Sequence, residues 1–144
     1  MKVVFDTNVL VSALITAGKP KELFHKAIEG KIQLILSKSI LKEFSEVSND
    51  PRIIKYADED DVIAFLRIID KVAKITKVKS RFKVVKEDSD DDVVLRTAFD
   101  SKADYIVSGD RHLLSLGAFR GIKILTVNEM LTLLEEEKVR NPLF

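Results

Sequence analysis

Cysteine and tryptophan are absent from this chain of 144 residues. Without cysteine there is no disulfide framework and no thiolate metal site. Glycine and proline are sparse, at 5 and 3 residues, and no low-complexity segment, repeat or internal linker is visible. Charge of one sign is not in excess: the formal net charge is +1. Phosphate-binding proteins are often strongly basic overall, so any contact with nucleic acid here requires a local patch. No apolar run approaches the ~20 residues of a membrane span. The N-terminus, MKVVFDTNVL, lacks the long apolar core of a signal peptide because Asp6 interrupts it. A cytoplasmic location is the expectation that follows.

Hydrophobic residues make up 46% of the chain and charged residues 33%. That balance is globular rather than disordered. The length suits one domain over residues 1–144 and is too short for two comfortable cores. Residues 2–5 (KVVF) read as a buried strand that ends at Asp6-Thr7-Asn8, with a helix from Val9 to Ile15. Pro20 suits the first turn of a helix reaching Ile28, and Gly30 stops it. Residues 32–36 (IQLIL) give a second strand. Ser37 and Ser39 are candidate caps for a helix to about Val47, broken by Asn49-Asp50-Pro51.

An amphipathic helix is predicted from about Asp58 to Ala73, its buried face formed by Val62, Phe65, Ile69 and Val72. Residues 74–86 alternate basic and apolar side chains, as an extended edge does. Asp88 to Asp92 opens a helix to about Ser101. Tyr105-Ile106-Val107 and Ile122 to Val127 are further strands. Thr126 and Glu129 stand at capping-box spacing before a final helix, and the tail after Lys138 is expected to fray. Strands alternating with helices imply an α/β sandwich with a mainly parallel sheet.

In such sheets, sites form beyond the carboxyl ends of the strands. Asp6 directly follows the first strand and Asp110 follows the strand at 105–107, so both would emerge at one edge. Either residue alone could simply cap the next helix. Helical phase adds two more acids. Ile40, Phe44 and Val47 define a buried stripe, with Glu43 at its rim and Glu46 well outside. In the run Asp88-Ser89-Asp90-Asp91-Asp92, Asp91 shares a face with Val94, Leu95 and Ala98. Asp90 points away, and Asp92 lies near the edge. An acid at the head of an apolar stripe is costly unless neutralised. Asp88, one turn earlier, is placed to join the same site. The ordinary alternative is a helix N-terminus enriched in acids, as at Asp58 to Asp61.

Asp6, Glu43, Asp91 and Asp110 would then converge, and bare carboxylates packed together repel. A divalent cation resolves this. All-oxygen ligation, with no cysteine and no suitably spaced histidine, suits Mg²⁺ or Mn²⁺ better than Zn²⁺. Such an ion has natural work on phosphates.

With VVFDTNVLVSAL, ILKEF, DSDDDVVLRTAF and ADYIVSGDRHLL in this order across the chain, the sequence resembles the PIN-domain nucleases. It looks most like the prokaryotic single-domain members, which include the VapC-type toxin ribonucleases of toxin–antitoxin pairs. The resemblance implies a three-layer α/β/α sandwich around a central, mainly parallel sheet. It also implies Mg²⁺- or Mn²⁺-dependent endonuclease action on RNA, with an antitoxin and a second copy of the chain as prospective partners. The family's first acid falls on Asp6, with Thr7 and Asn8 completing DTN, and the second on Glu43. An alanine seven residues after the third acid selects Asp91 through Ala98, with Asp92 held in reserve. The fourth falls on Asp110, where Ser108 is placed to hydrogen-bond a ligand or a neighbouring acid. The implied mechanism is water attack on a phosphodiester. Asp6, Asp91 and Asp110 hold the metal, directly or through water, and Glu43 orients or deprotonates the water.

Lys74, Lys77, Lys79, Arg81, Lys83 and Lys86 are either a track for an RNA backbone or an edge strand protected by lysines. His25, His112 and Arg111 read as incidental. Phe82 and Phe119 are the aromatic residues least tied to an apolar stripe. Two rival functions keep the acids but change their use. One is a Mg²⁺-dependent phosphatase or phosphate-receiving domain, which fits poorly because Asn8 stands where such phosphatases need a second acid. The other is a degenerate domain that only docks RNA or a protein. The apolar surface of the helix at 58–73 is a candidate interface.

Overall fold

The computed structural model describes residues 1–85 and 89–141, with Ser89 as backbone only. The strands are β1 (Lys2–Phe5), β2 (Gln33–Leu36), β3 (Ala73–Ile75), β4 (Tyr105–Val107), β5 (Ala118–Phe119) and β6 (Ile122–Leu125). The helices are α1 (Thr7–Ile15), α2 (Lys19–Ile28), α3 (Lys38–Ser48), α4 (Pro51–Ile54), α5 (Glu59–Val72), α6 (Ser89–Ser101), α7 (Arg111–Leu116) and α8 (Val127–Arg140). The six strands form one sheet in the order β3-β2-β1-β4-β6-β5. All neighbours are parallel except β5, which pairs antiparallel with β6. Helices flank the sheet as in a three-layer α/β/α sandwich.

Beyond Lys2 and Gln33 at their starts, the central strands β1, β2 and β4 are apolar because both faces are covered. Val3, Val4, Phe5, Leu34, Ile35, Leu36, Ile106 and Val107 are all fully buried. Phe65 of α5 stacks on Phe24 of α2 with ring centroids 4.6 Å apart, and Phe44 of α3 lies 5.5 Å from it. These three rings join the helices on that side, and emptying such a site by Phe→Ala typically costs about 3–5 kcal/mol.

Helix starts follow local chemistry. Ser37 caps α3 by accepting from Ile40 N, so of the two candidate serines it is the first that serves. Asp58 and Asp61 form a reciprocal capping box at α5, and Thr126 and Glu129 form another at α8. α8 continues through Arg140. Asp50 caps the short helix α4 and pairs with Arg52, whose hydrogen bonds hold its carboxyl down at about 2.

The extended edge expected over 74–86 is paired only at its start. β3 covers residues 73–75, and residues 76–85 carry no strand pairing. Lys86 and Asp88 lie outside the described residues. Three short elements had no counterpart in the sequence: α4, α7 and β5, which forms a hairpin with β6; the strand expected over Ile122 to Val127 is β6 and ends at Leu125. The hairpin turns on two residues, Arg120 and Gly121, both with positive φ (50° and 85°). This is the φ pattern of a type I′ turn, which suits the twist of a tight hairpin. Among the described residues, no helix is long and apolar enough to cross a membrane.

Candidate active site

The strand order reverses direction between β1 and β4: β2 and β3 lie to one side, β6 and β5 to the other. Ligands of open α/β sheets bind beyond the strand ends at such a point. Asp6 follows β1 and Asp110 opens α7 three residues beyond β4, so these two acids flank it.

Each also caps a helix, so both readings of the sequence hold together. Asp6 is the N-cap of α1, with Oδ1 accepting from Thr7 N at 2.7 Å. Asp110 is the N-cap of α7, with Oδ1 accepting from His112 N at 2.8 Å and Leu113 N at 3.3 Å. Ser108 ties the two together. Its hydroxyl donates to Asp6 Oδ2 at 2.6 Å and accepts from Asp110 N at 2.9 Å. The serine is 1% exposed and Asp6 7% exposed, so this link is made out of water. There, a hydrogen bond to a carboxylate is worth more than a neutral one.

Asp91 enters from the first turn of α6 and is 3% exposed, whereas Asp90 faces solvent. Helical phase had separated the two in this way. Asp91 Oδ2 lies 3.8 Å from His112 Nδ1, and Asp110 Oδ1 lies 3.7 Å from the same nitrogen. One potential ligand atom from each of Asp91, Asp110 and His112 lies within 4.8 Å of the other two. His112, read as incidental, therefore stands inside the acid group. Its place follows from α7, which starts immediately after Asp110 and turns the second residue back toward its cap. His25 lies exposed on α2, away from any such group among the described residues.

Glu43 is half-buried on α3 and Glu46 is exposed. Glu43 Oε2 accepts from Thr7 Oγ1 at 3.1 Å, so the second acid is tied to the buried residue that follows Asp6. Asp92, the reserve candidate, is also buried, but its Oδ1 accepts from Val84 N at 2.8 Å and Val85 N at 2.9 Å. It anchors the preceding chain segment. Asn8 is exposed and lines a cleft of about 320 Å³ with Ser12, Lys19, Ser108, Gly109 and Asn128. This cleft opens beside the Asp6–Ser108 link.

The donor set fits a divalent cation: two carboxylates and one imidazole can each offer a ligand atom.

The chain belongs to the PIN-domain family, a class of nucleases: the PIN-domain family model matches residues 2–112. Among individual proteins, the chain is 37% identical over 118 residues to the uncharacterized protein MJ1680 of Methanocaldococcus jannaschii, an alignment covering 81% of this chain and 75% of that protein. Among solved structures, it is similar in fold to a chain from the crystal structure of VapBC2 from Rickettsia felis bound to a DNA fragment from their promoter. The TM-score is 0.60 at 12% identity, covering 88% of this chain and 98% of that one.

Proposed function

We propose that this chain is a Mg²⁺- or Mn²⁺-dependent endoribonuclease. The observation that carries this reading is the convergence of Asp91, Asp110 and His112 within 4.8 Å at the switch point of a PIN-domain sheet. Asp6 is joined to that group through Ser108, and Glu43 is joined to Asp6's neighbour Thr7.

Asp6, Asp91 and Asp110 would hold the ion, with His112 beside them. When bound, the ion supplies neutralising charge for the phosphoryl oxygens and a lower pKa for water. The protein's own groups then set the geometry. Thr7 holds the Glu43 carboxylate toward the site, where it orients the attacking water and accepts its proton. Ser108 and Thr7 N fix both oxygens of Asp6, so the carboxylate is pre-oriented before substrate arrives. The cleft beside Asn8 gives the substrate its approach.

The fold likeness to a chain of VapBC2 supports a place as the toxin half of a toxin–antitoxin pair, with an antitoxin protein as partner. Ile54 and Ile63 are exposed beside a groove of about 530 Å³ between α3, α4 and α5. This face is our candidate for covering by the antitoxin or by a second copy.

The test is cleavage of labelled single-stranded RNA with Mn²⁺, with EDTA, and by Asp6→Asn. Asparagine caps helices as well as aspartate does, so the variant keeps α1 while losing the charge. Cleavage by the wild type should require the metal and vanish in the variant. Undiminished metal-dependent cleavage by the folded variant would overturn the site assignment.

A further inference from the structure

Between Lys74 and Lys83 the chain has five cations and no acid. Past β3, after the bond from Thr76 N to Leu36 O, the stretch carries no strand pairing, and from Lys79 to Val85 it is tied to one face of α6. Asp100 Oδ2 accepts from Lys79 N at 2.6 Å, Ser80 N at 2.9 Å and Ser80 Oγ at 3.1 Å. Arg96 Nε donates to Phe82 O at 2.8 Å, and Asp92 Oδ1 accepts from Val84 N and Val85 N. These three helix residues are four apart and so share one stripe. Burial opposes the charge on Asp100. The hydrogen bonds from Ser80 and Lys79, with the Lys79 charge, outweigh that and hold its carboxyl below the ordinary value.

The strap is pinned from the inside as well. Phe82 packs edge-on to Phe99 and 5.2 Å from Phe119, and the Arg120 guanidinium lies 4.7–5.0 Å from all three rings. Along the strap the exposed residues are Lys77, Lys79, Arg81 and Lys83, while those between them are half-buried. Successive outward cations in extended chain are therefore about 6.6 Å apart. Extended single-stranded nucleic acid spaces its phosphates similarly. Arg96 and Arg120 add positive charge beneath the row. The row ends where Asp92 holds Val84 and Val85, one residue along the helix from Asp91.

We propose that the strap residues Lys79, Arg81 and Lys83, with Lys77 at the far end, are a track for the backbone of single-stranded RNA that leads it to the acid site. This rests on the ribonuclease reading above. Lysines that only guard an edge strand belong beside the paired residues 73–75. These cations lie beyond that pairing, on a segment held in one orientation by charged anchors.

The test measures binding of a labelled single-stranded RNA of mixed sequence, in EDTA to prevent cleavage, from 50 to 200 mM salt. Wild type is compared with Lys79→Gln/Arg81→Gln/Lys83→Gln and with a control of equal charge change, Lys55→Gln/Lys71→Gln/Lys138→Gln. Each backbone cation contributes about 0.7 to the log–log salt slope on single strands, so the track variant should lose about 2 from its slope. Its affinity deficit should then be about 20-fold larger at 50 mM than at 200 mM salt. Equal slopes in both variants, with melting curves showing both folded, would remove the track. If the wild type still cuts RNA with Mn²⁺ in that case, the ribonuclease reading stands without it. A wild type that neither cuts nor binds RNA brings down both.

Discussion

Replacing Ser108 with alanine removes one oxygen, and its expected cost follows from the two hydrogen bonds that oxygen makes. The hydroxyl donates to the buried Asp6 carboxylate at 2.6 Å and accepts from Asp110 N at 2.9 Å. A buried hydrogen bond to a charged group is worth about 1.5–3 kcal/mol, and stranding the partly buried Asp110 N–H adds about 1 kcal/mol. The loss should therefore be about 3 kcal/mol. For a domain of this size that is about 10 °C in Tm. The assay is thermal unfolding followed by circular dichroism at pH 7 in EDTA, so that no ion compensates. Ser115→Ala is the matched control, because its exposed hydroxyl bonds to Arg111 O in its own helix. Such surface changes stay within about 0.5 kcal/mol. A double-mutant cycle with Asp6→Asn should show coupling of about 1–3 kcal/mol, since the two side chains touch. If Ser108→Ala melts within about 2 °C of Ser115→Ala, or the cycle is additive, Ser108 does not hold the two strand-end acids together.

Two further expectations concern the ion and pH. Mn²⁺ at 100 times its Kd should stabilise the folded chain by about 2.7 kcal/mol through linkage. Asp91→Asn should lose that gain, and His112→Ala should weaken Mn²⁺ more than Mg²⁺; equal loss of both ions would remove the imidazole from the ligand set. Asp100 has a native pKa below its unfolded value, so its contribution is fully present above about pH 4 and disappears as pH falls through the native value. The Tm gap between wild type and Asp100→Asn should accordingly be steady near neutrality and close in strong acid. A gap that widens there would contradict the anchoring of the strap.

Much of the architecture was legible because apolar runs and stripes are long relative to the elements they build. KVVF and QLIL pair in the middle of the sheet, and the Thr126–Glu129 spacing is a real capping box. Helical phase placed Asp91 inside and Asp90 outside, and separated Glu43 from Glu46, since a 100° step carries neighbouring residues to different faces. The two short helices α4 and α7 and the two-residue strand β5 escaped, because they lack the continuous apolar run that marks the equally short buried strands and periodicity has no room to show in them. The β5–β6 turn did leave a trace, in a glycine at the second of two positive-φ positions. Missing α7 also hid His112: with Asp110 as the cap, the His112 backbone N–H bonds back to it, and the ring lies beside the acids. Asp92 looked interchangeable with Asp91 because sequence does not say which chain segment will lie across a helix. Its partners, Val84 N and Val85 N, are tertiary neighbours that belong to a stretch with no strong pattern of its own.

The strap along α6 works as a ruler with two different scales. Asp92, Arg96 and Asp100 mark distance in helical turns, at about 1.5 Å per residue. The segment above them marks it in extended steps of about 3.3 Å, with side chains switching sides at every step. The two scales agree at both ends, so the number of residues between Ser80 and Val84 is fixed by the helix below. Exchanging lysine for arginine on the outward positions leaves that agreement intact. Inserting one residue does not: every later side chain changes sides, turning cations inward against the helix and apolar groups out to water. Along this stretch, exchange of one outward cation for another should be tolerated and a change in length should not.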